Sequence, residues 1–200
     1  MDNHDWGLHI DALTLARGEQ IVLAAPSGTG KSTLLGLIAG LMDPDEGTIT
    51  VNGQAVHALT GAARDHFRGR HIGMIFQTLN LLQGFSALEN VMAALMFSGV
   101  SPGDQSKRAG ELLASLDIRR PNARVEQLSL GQQQRVAVAR AVACDPVLVL
   151  ADEPTASLDP SNAANAMRLI QDTCRAKGAA LLCVSHDPAV WDRFEKRQQL

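Results

Sequence analysis

The sequence lacks any excess of basic charge. Its 18 Lys and Arg are outnumbered by 21 Asp and Glu, for a net charge of −3, so it carries no footprint for direct nucleic-acid binding. Long apolar runs are missing as well: no stretch reaches the roughly 18 uninterrupted apolar residues that span a bilayer. The first residues, Met1-Asp2-Asn3-His4-Asp5, are acidic and lack the cationic-then-apolar build of a signal peptide. A role at a membrane would therefore need a partner that brings the chain there. Cysteine is scarce. Cys144, Cys174 and Cys183 lie within or beside apolar stretches without metal-ligand spacing, which predicts buried free thiols and fits a reducing cytosol. There are no repeats, low-complexity tracts or long linkers. Two hundred residues, 46% hydrophobic and 20% charged, suit one domain or one domain with a small subdomain.

What is present is organised around Ala25-Pro26-Ser27-Gly28-Thr29-Gly30-Lys31-Ser32-Thr33. The short apolar run Gln20 to Ala24 precedes it, and Leu34 to Gly40 follows with helical apolar spacing. A glycine-rich turn between strand and helix is the context of a phosphate-binding loop. Its successive N–H groups form a concave nest for phosphate oxygens, and the next helix adds unpaired N–H groups and its positive dipole end. Lys31 would reach the β- and γ-phosphates, and the Ser32 hydroxyl would bind Mg²⁺. The usual pattern is G-x-x-x-x-G-K-[ST], and Ala25 stands at its first glycine. If that position needs a positive φ, alanine is strained there by roughly 1 kcal/mol; if φ is negative, it costs little.

Along the rest of the chain, Leu8 to Leu15 alternates as a half-buried strand does. Glu46 to Gly53 reads as a short strand with a tight Asn-Gly reversal, and Thr60 to Phe67 as a polar helix. Ile72 to Phe76 reads as a strand. Ser86 and Glu89 predict a capping box for a helix running to Phe97, and Pro102 begins another that ends at Leu116. Leu130 to Ala143 is helical, Val147 to Ala151 is a strand buried on both faces, and a helix from Pro160 to Lys177 is closed by Gly178 before a last core strand, Ala179 to Val184. The expected fold is α/β. Residues 1–200 form a single domain with a mostly parallel sheet, a small antiparallel β part and an inserted helical subdomain. The core covers residues 1–76 and 135–200, and the helical subdomain about 77–134.

Asp152-Glu153 closes the apolar strand, so both carboxylates point into the crevice where open α/β sheets bind ligands. Asp152 is expected to hold Mg²⁺, through water, and Glu153 to accept a proton from the water attacking the γ-phosphate. Ahead of that strand, Leu128-Ser129-Leu130-Gly131-Gln132-Gln133-Gln134-Arg135 opens a helix that Ser129 can cap, with Gly131 allowing a phosphate to approach its start.

With the phosphate-binding loop, this stretch resembles the signature of ABC-type ATPases, usually L-S-G-G-Q. Ser129, Gly131 and Gln132 match, while Leu130 replaces the first signature glycine. The resemblance implies that Ser129 and Gly131 contact the γ-phosphate. It makes Gln77 the counterpart of the Q-loop glutamine, which reaches Mg²⁺ and the attacking water. Ser157-Leu158-Asp159 resembles the D-loop, which signals across a dimer, and His186 resembles the switch histidine at the γ-phosphate. Members usually stack an aromatic residue on adenine. With no tyrosine in the chain, Trp6 is the only aromatic residue before the loop.

The resemblance further implies ATP and Mg²⁺ as ligands, and a homodimer that sandwiches ATP between the loop of one chain and the signature of the other. It implies a membrane-spanning permease subunit docking near Gln77 to Phe97, and a cytoplasmic protein held peripherally on the cytoplasmic face of the inner (plasma) membrane by that partner. Arg70 to Leu82 and Leu88-Glu89-Asn90-Val91 look most like the lipoprotein-releasing and macrolide-exporting ATPases, which serve export or extraction from a bilayer. Two rival readings stay open: a degenerate nucleotide-binding subunit, suggested by Ala25 and Leu130, and a soluble ATPase of the same class not engaged in transport. Chromosome-maintenance relatives insert long coiled coils, and no sustained heptads occur here.

Overall fold

The structure, a computed structural model, describes residues 7–26 and 28–200; Trp6 and Ser27 lie outside the described residues. Strand β1 (Gln20–Ala24) leads into helix α1 (Lys31–Ile38). An antiparallel pair follows, β2 (Thr50–Val51) and β3 (Gln54–Ala55), joined through Asn52 and Gly53 at φ 51 and 78. Those two positive φ values are what a tight Asn-Gly reversal requires. Helix α2 (Gly61–His71) runs directly into β4 (Ile72–Ile75). Three helices, α3 (Ala87–Leu95), α4 (Pro102–Ser115) and α5 (Leu130–Val142), separate β4 from β5 (Leu148–Asp152). The chain closes with α6 (Pro160–Lys177), β6 (Ala180–Ser185), the single turn α7 (Pro188–Trp191) and β7 (Lys196–Gln199).

The main sheet has the order β4-β5-β6-β1-β7, and every pairing in it is parallel. Side chains alternate across it. Val22, Ile75, Val149, Ala151, Leu181 and Cys183 join one core with α3 to α6. Ile21, Leu23, Ile72, Leu150, Leu182 and Val184 join a second core with Leu34, Leu35 and Ile38 of α1. Both faces of the central strands are thus dry, which is why their sequences are continuous apolar runs. Each fully buried Leu or Ile contributes about 1.5–3 kcal/mol.

Local signals set the helix ends. Ser86 and Glu89 form the expected capping box on α3, and Pro102 opens α4. Gly178, at φ 64, closes α6 in the left-handed conformation that an L side chain disfavours. Helix α2 begins at Gly61 and continues to His71, past the expected end at Phe67.

Residues 8–15 do not form the expected strand. Leu8, Ile10, Leu13 and Leu15 do pack against the second core, so the alternation reports half-burial correctly. No ladder pairs with the segment, and β2 pairs with β3. Strand β7 was not anticipated. Its Lys-Arg-Gln-Gln side chains are exposed; its backbone pairs with β1, and Lys196 also pairs with Glu19 just before that strand. Among the cysteines, Cys174 and Cys183 are free and buried, and burial pushes the Cys174 thiol up to about 12. Cys144 is only half-buried, a correction to the expectation. Its Sγ lies 3.1 Å from the Ala94 carbonyl.

Candidate active site

The register of the sheet brings four strand ends level. Ala24 is opposite Ser185, Ile75 opposite Ala151 and Asp152 opposite Val184. The next residues therefore emerge together on one edge: Ala25 from β1, Gln77 after β4, Glu153 from β5 and His186 from β6. That edge is the carboxyl end of a parallel sheet, where open α/β folds bind ligands.

The loop after β1 is shaped by its backbone. Gly28 and Gly30 have φ of 81 and 87, and Gly30 stands at the N-cap of α1 without a side-chain cap. The first N–H groups of α1 are therefore free to face an anion. Thr29 Oγ1 donates to the Pro26 carbonyl at 2.8 Å and tightens the turn. Ala25 is buried, does not have a positive φ, and donates its N–H to the Ser185 carbonyl at 3.3 Å. Glycine is thus not needed there, and the second of the two cases posed by the sequence applies.

Lys31 does not project freely. Its Nζ donates to the carbonyls of Ala25 at 3.0 Å and Pro26 at 2.9 Å, and pairs with Glu153 Oε1 at 3.1 Å. Lys31 and Glu153 are each 7% exposed. The Glu153 carboxylate also accepts from Ser185 Oγ at 3.1 Å, from the His186 N–H at 3.1 Å and 3.3 Å, and meets His186 Nδ1 at 2.8 Å. Glu153 has a φ of 44, a left-handed conformation costing an L residue about 1–2 kcal/mol. Its N–H bond to the Val184 carbonyl at 3.0 Å and the converging donors hold it there. Burial pushes its carboxyl up, but the hydrogen bond from His186 and the Lys31 ammonium outweigh burial and hold it below its ordinary value of 4.5.

A depressed folded-state pKa adds stability above the unfolded value that is lost as pH falls through the folded one. Thermal midpoints of the chain should fall on acidification from about pH 6 to below about pH 4. Glu153→Gln should flatten that dependence; an unchanged slope would mean that other carboxylates carry it.

Ser32 and Asp152 meet directly: Ser32 Oγ donates to Asp152 Oδ2 at 2.7 Å. Ser32 is exposed and Asp152 half-buried, so these two hard oxygen donors are open to solvent. That set suits Mg²⁺, which keeps several waters and takes few protein ligands. Among the described residues no cluster of three His, Cys, Asp or Glu is arranged to hold a metal. Gln77 is exposed just beyond β4.

The signature stretch is built on α5. Ser129 Oγ accepts from the Gln132 N–H at 3.3 Å while Gln132 Oε1 accepts from the Ser129 N–H at 3.0 Å, a full capping box. Leu130 is the first helical residue and is 50% exposed, so its side chain neither strains the backbone nor fills a core. A Cβ at Gly131 would meet nothing within 4 Å, so the fold of this chain does not require glycine there. Farther along, Gln134 Nε2 donates to the Pro154 carbonyl at 3.2 Å and ties α5 to the turn after Glu153. Asp159 caps α6; hydrogen bonds from Ser161 and Asn162 hold its carboxyl at about 2.

The structure thus brings Lys31, Glu153 and His186 into one network and sets the separate Ser32–Asp152 pair beside it, Asp152 being the chain neighbour of Glu153. Ser129 and Gln132 bond each other, and Asp159 bonds Ser161 and Asn162; neither group joins it. Sequence reasoning missed Ser185, whose fully buried hydroxyl is a Glu153 partner. The one available signal was a serine ending an apolar strand beside His186.

A family model described as ABC transporter matches residues 8–156. The lipoprotein-releasing system ATP-binding protein LolD of Rhodopseudomonas palustris (strain BisB5) is 44% identical over 187 residues, covering 92% of this chain and 80% of that protein. The protein of the same name from Nitrobacter hamburgensis (strain DSM 10229 / NCIMB 13809 / X14) is 41% identical over 189 residues, covering 94% and 82%. Among solved structures, a dimeric post-hydrolysis state of the ATP-binding cassette MJ0796 bound to ADP and Pi has a TM-score of 0.81 at 36% identity, over 94% of this chain and 83% of that one.

Proposed function

The chain belongs to the ABC transporter ATP-binding family and is an ATP-hydrolysing nucleotide-binding domain; from that premise we propose that it powers a separate membrane-spanning partner that extracts or exports a membrane-held substrate. The observation that carries the reading is the Glu153 carboxylate, buried yet ionised and gripped by Lys31, Ser185 and His186 at the crevice edge. The relatives named for lipoprotein release support a lipid-anchored cargo.

In this reading residues 25–33 cradle the phosphates of ATP, and Lys31 exchanges Glu153 for their oxygens. Ser32, Asp152 and Gln77 hold Mg²⁺, which when bound neutralises charge on the β- and γ-oxygens. Glu153 takes the proton of the attacking water, and His186 keeps the carboxylate aimed. Ser129, Leu130, Gly131 and Gln132 act on the ATP held by a second copy, with Asp159 at the same interface. The open space around Gly131 supports this: its glycine answers to something outside the chain. The membrane partner docks on residues 77–97, where Leu82, Phe85, Met96 and Phe97 are exposed apolar side chains. Among the described residues no helix is long and apolar enough to cross a membrane; the likeness to the lipoprotein-releasing ATP-binding proteins supports a peripheral subunit at the cytoplasmic face. Residues 77–134 form the helical subdomain and the remainder the core. One ground for the degenerate-binder reading falls with the φ of Ala25.

The in-trans arrangement has a direct test. Gly131→Asp should leave the fold and ATP binding intact and abolish turnover, because the new carboxylate would face a phosphate. Lys31→Met should also be inactive. Mixing the two should restore turnover, since a mixed dimer has one site with both Lys31 and Gly131 intact. No recovery on mixing two folded variants would sink the sandwich.

A further inference from the structure

Two side chains that the site itself does not use hold the segment after Gln77. Arg140, in the last turn of α5, donates from Nη2 to the Leu79 carbonyl at 2.7 Å and from Nη1 to the Asn80 carbonyl. Leu79 and Asn80 have φ of 57 and 46, a left-handed backbone that L residues keep only when something holds them. Asn90 of α3, fully buried, grips Leu82 on both sides. Its Oδ1 accepts from the Leu82 N–H at 2.7 Å, and its Nδ2 donates to the Leu82 carbonyl at 3.2 Å. Just beyond, the Gly84 N–H donates to Glu126, and the Phe85 carbonyl accepts from the Val125 N–H at 3.1 Å. The segment 79–85 is therefore fastened along its length to α3, α5 and the turn that precedes Ser129.

Packing alone does not explain the arginine. Burial lowers the Arg140 guanidinium from its ordinary value, and among the described residues no carboxylate pairs with it. An apolar side chain of similar length would fill the space without that desolvation. The planar fork holds two successive carbonyls from two separate nitrogens, each with its own donor direction, which fixes their relative orientation. Helix α5 is a rigid rod, and Arg140 lies about 16 Å along it from Ser129 at ~1.5 Å per residue.

The geometry points to Arg140 as a positioning residue for hydrolysis, one that locks the segment after Gln77 to the helix carrying Ser129 and Gly131 so that both ends of the site move as one body. This rests on the roles proposed above for Gln77 and the signature stretch.

The test uses the full chain with Arg140→Met, which keeps length and removes the donors, and Arg140→Lys, whose single ammonium cannot match the fork. ATP turnover, the KM for ATP, thermal midpoint and amide hydrogen exchange over 78–83 are read together. For Arg140→Met the midpoint and KM should hold while kcat falls roughly ten- to a hundredfold. Exchange over 78–83 should quicken, and Arg140→Lys should recover part of both. A folded Arg140→Met with wild-type kcat overturns the inference, and so does a lost kcat with unchanged exchange. If Arg140→Met does not fold, exchange is followed on ATP addition in Glu153→Gln. Segments 78–83 and 129–133 must then respond together, and a response of one alone overturns the lock. An inactive wild-type chain would instead strike at the site roles themselves.

Discussion

Glu153→Gln should reduce ATP turnover by about 10²–10⁴-fold, the usual contribution of a general base, while ATP binding survives. The amide keeps the size of the carboxylate, and its oxygen can still accept from Ser185 Oγ or from the His186 N–H, so the left-handed turn at residue 153 has its supports. What it cannot do is take a proton. Among the described residues, the change also removes the one anion paired with Lys31, leaving two neutral carbonyls as its acceptors. A triphosphate then meets less competition for the ammonium, so ATP affinity should hold or rise. With ATP bound and not cleaved, the dimer should accumulate. Light scattering of the variant in ATP, beside a steady-state turnover assay, reads both effects. Retained turnover would remove Glu153 as the base, and turnover lost together with ATP binding would make the residue structural.

Lys31→Met should weaken ATP binding by about ten- to a hundredfold, the worth of one charged hydrogen-bonding group. It should also destabilise the chain without any nucleotide. Glu153 would keep the hydrogen bonds from Ser185 and His186 but lose its cation, and burial, which already pushes its carboxyl up, would be opposed by less. Breaking a buried pair by removing one partner costs about 3–5 kcal/mol, towards the low end where other hydrogen bonds persist. The thermal midpoint should therefore fall, and the rise on adding ATP should shrink, because ligand stabilisation scales with the logarithm of concentration over Kd. An unchanged midpoint with lost ATP binding would mean that the Lys31–Glu153 pair contributes no net stability, its desolvation cancelling its attraction.

Where a signal was local, the chain stated it openly. Ser86 with Glu89 and Ser129 with Gln132 each carry their hydrogen-bond partner within a turn, Pro160 and Gly178 mark the two ends of α6 by their backbone preferences, and the observed boundaries agree. The buried strands were legible because only a two-sided core explains runs such as Val147 to Ala151. Residues 8–15 misled because alternation records burial of one face and says nothing of a neighbouring strand. Strand β7 was hidden for the opposite reason: its side chains are exposed and carry no apolar pattern, and its ladder is made with the backbone of β1. The short helix α7 had a local cue in Asp187-Pro188, and Asp187 does cap it. At the site, the loop and the strand-end carboxylates could be read as residue types. The Lys31–Glu153 pair and the Arg140 fork could not, because each joins residues distant in sequence whose meeting depends on the sheet order.

That sheet order has a consequence for biosynthesis. Strand β1 pairs only with β6 and β7, and Gln20 lies opposite Leu181. The segment that forms the phosphate loop is made early and has no strand to pair with until β6 has left the ribosome. Closing so long a loop is slow, and the apolar β1 stays exposed meanwhile. The loop is tied to the sheet through the Ala25 N–H bond to the Ser185 carbonyl, which forms only once β6 has joined, so nucleotide has no anchored loop to stabilise before then. A nascent chain arrested before β6 should thus depend on chaperones and resist rescue by ATP, although every residue of its phosphate loop has already been translated.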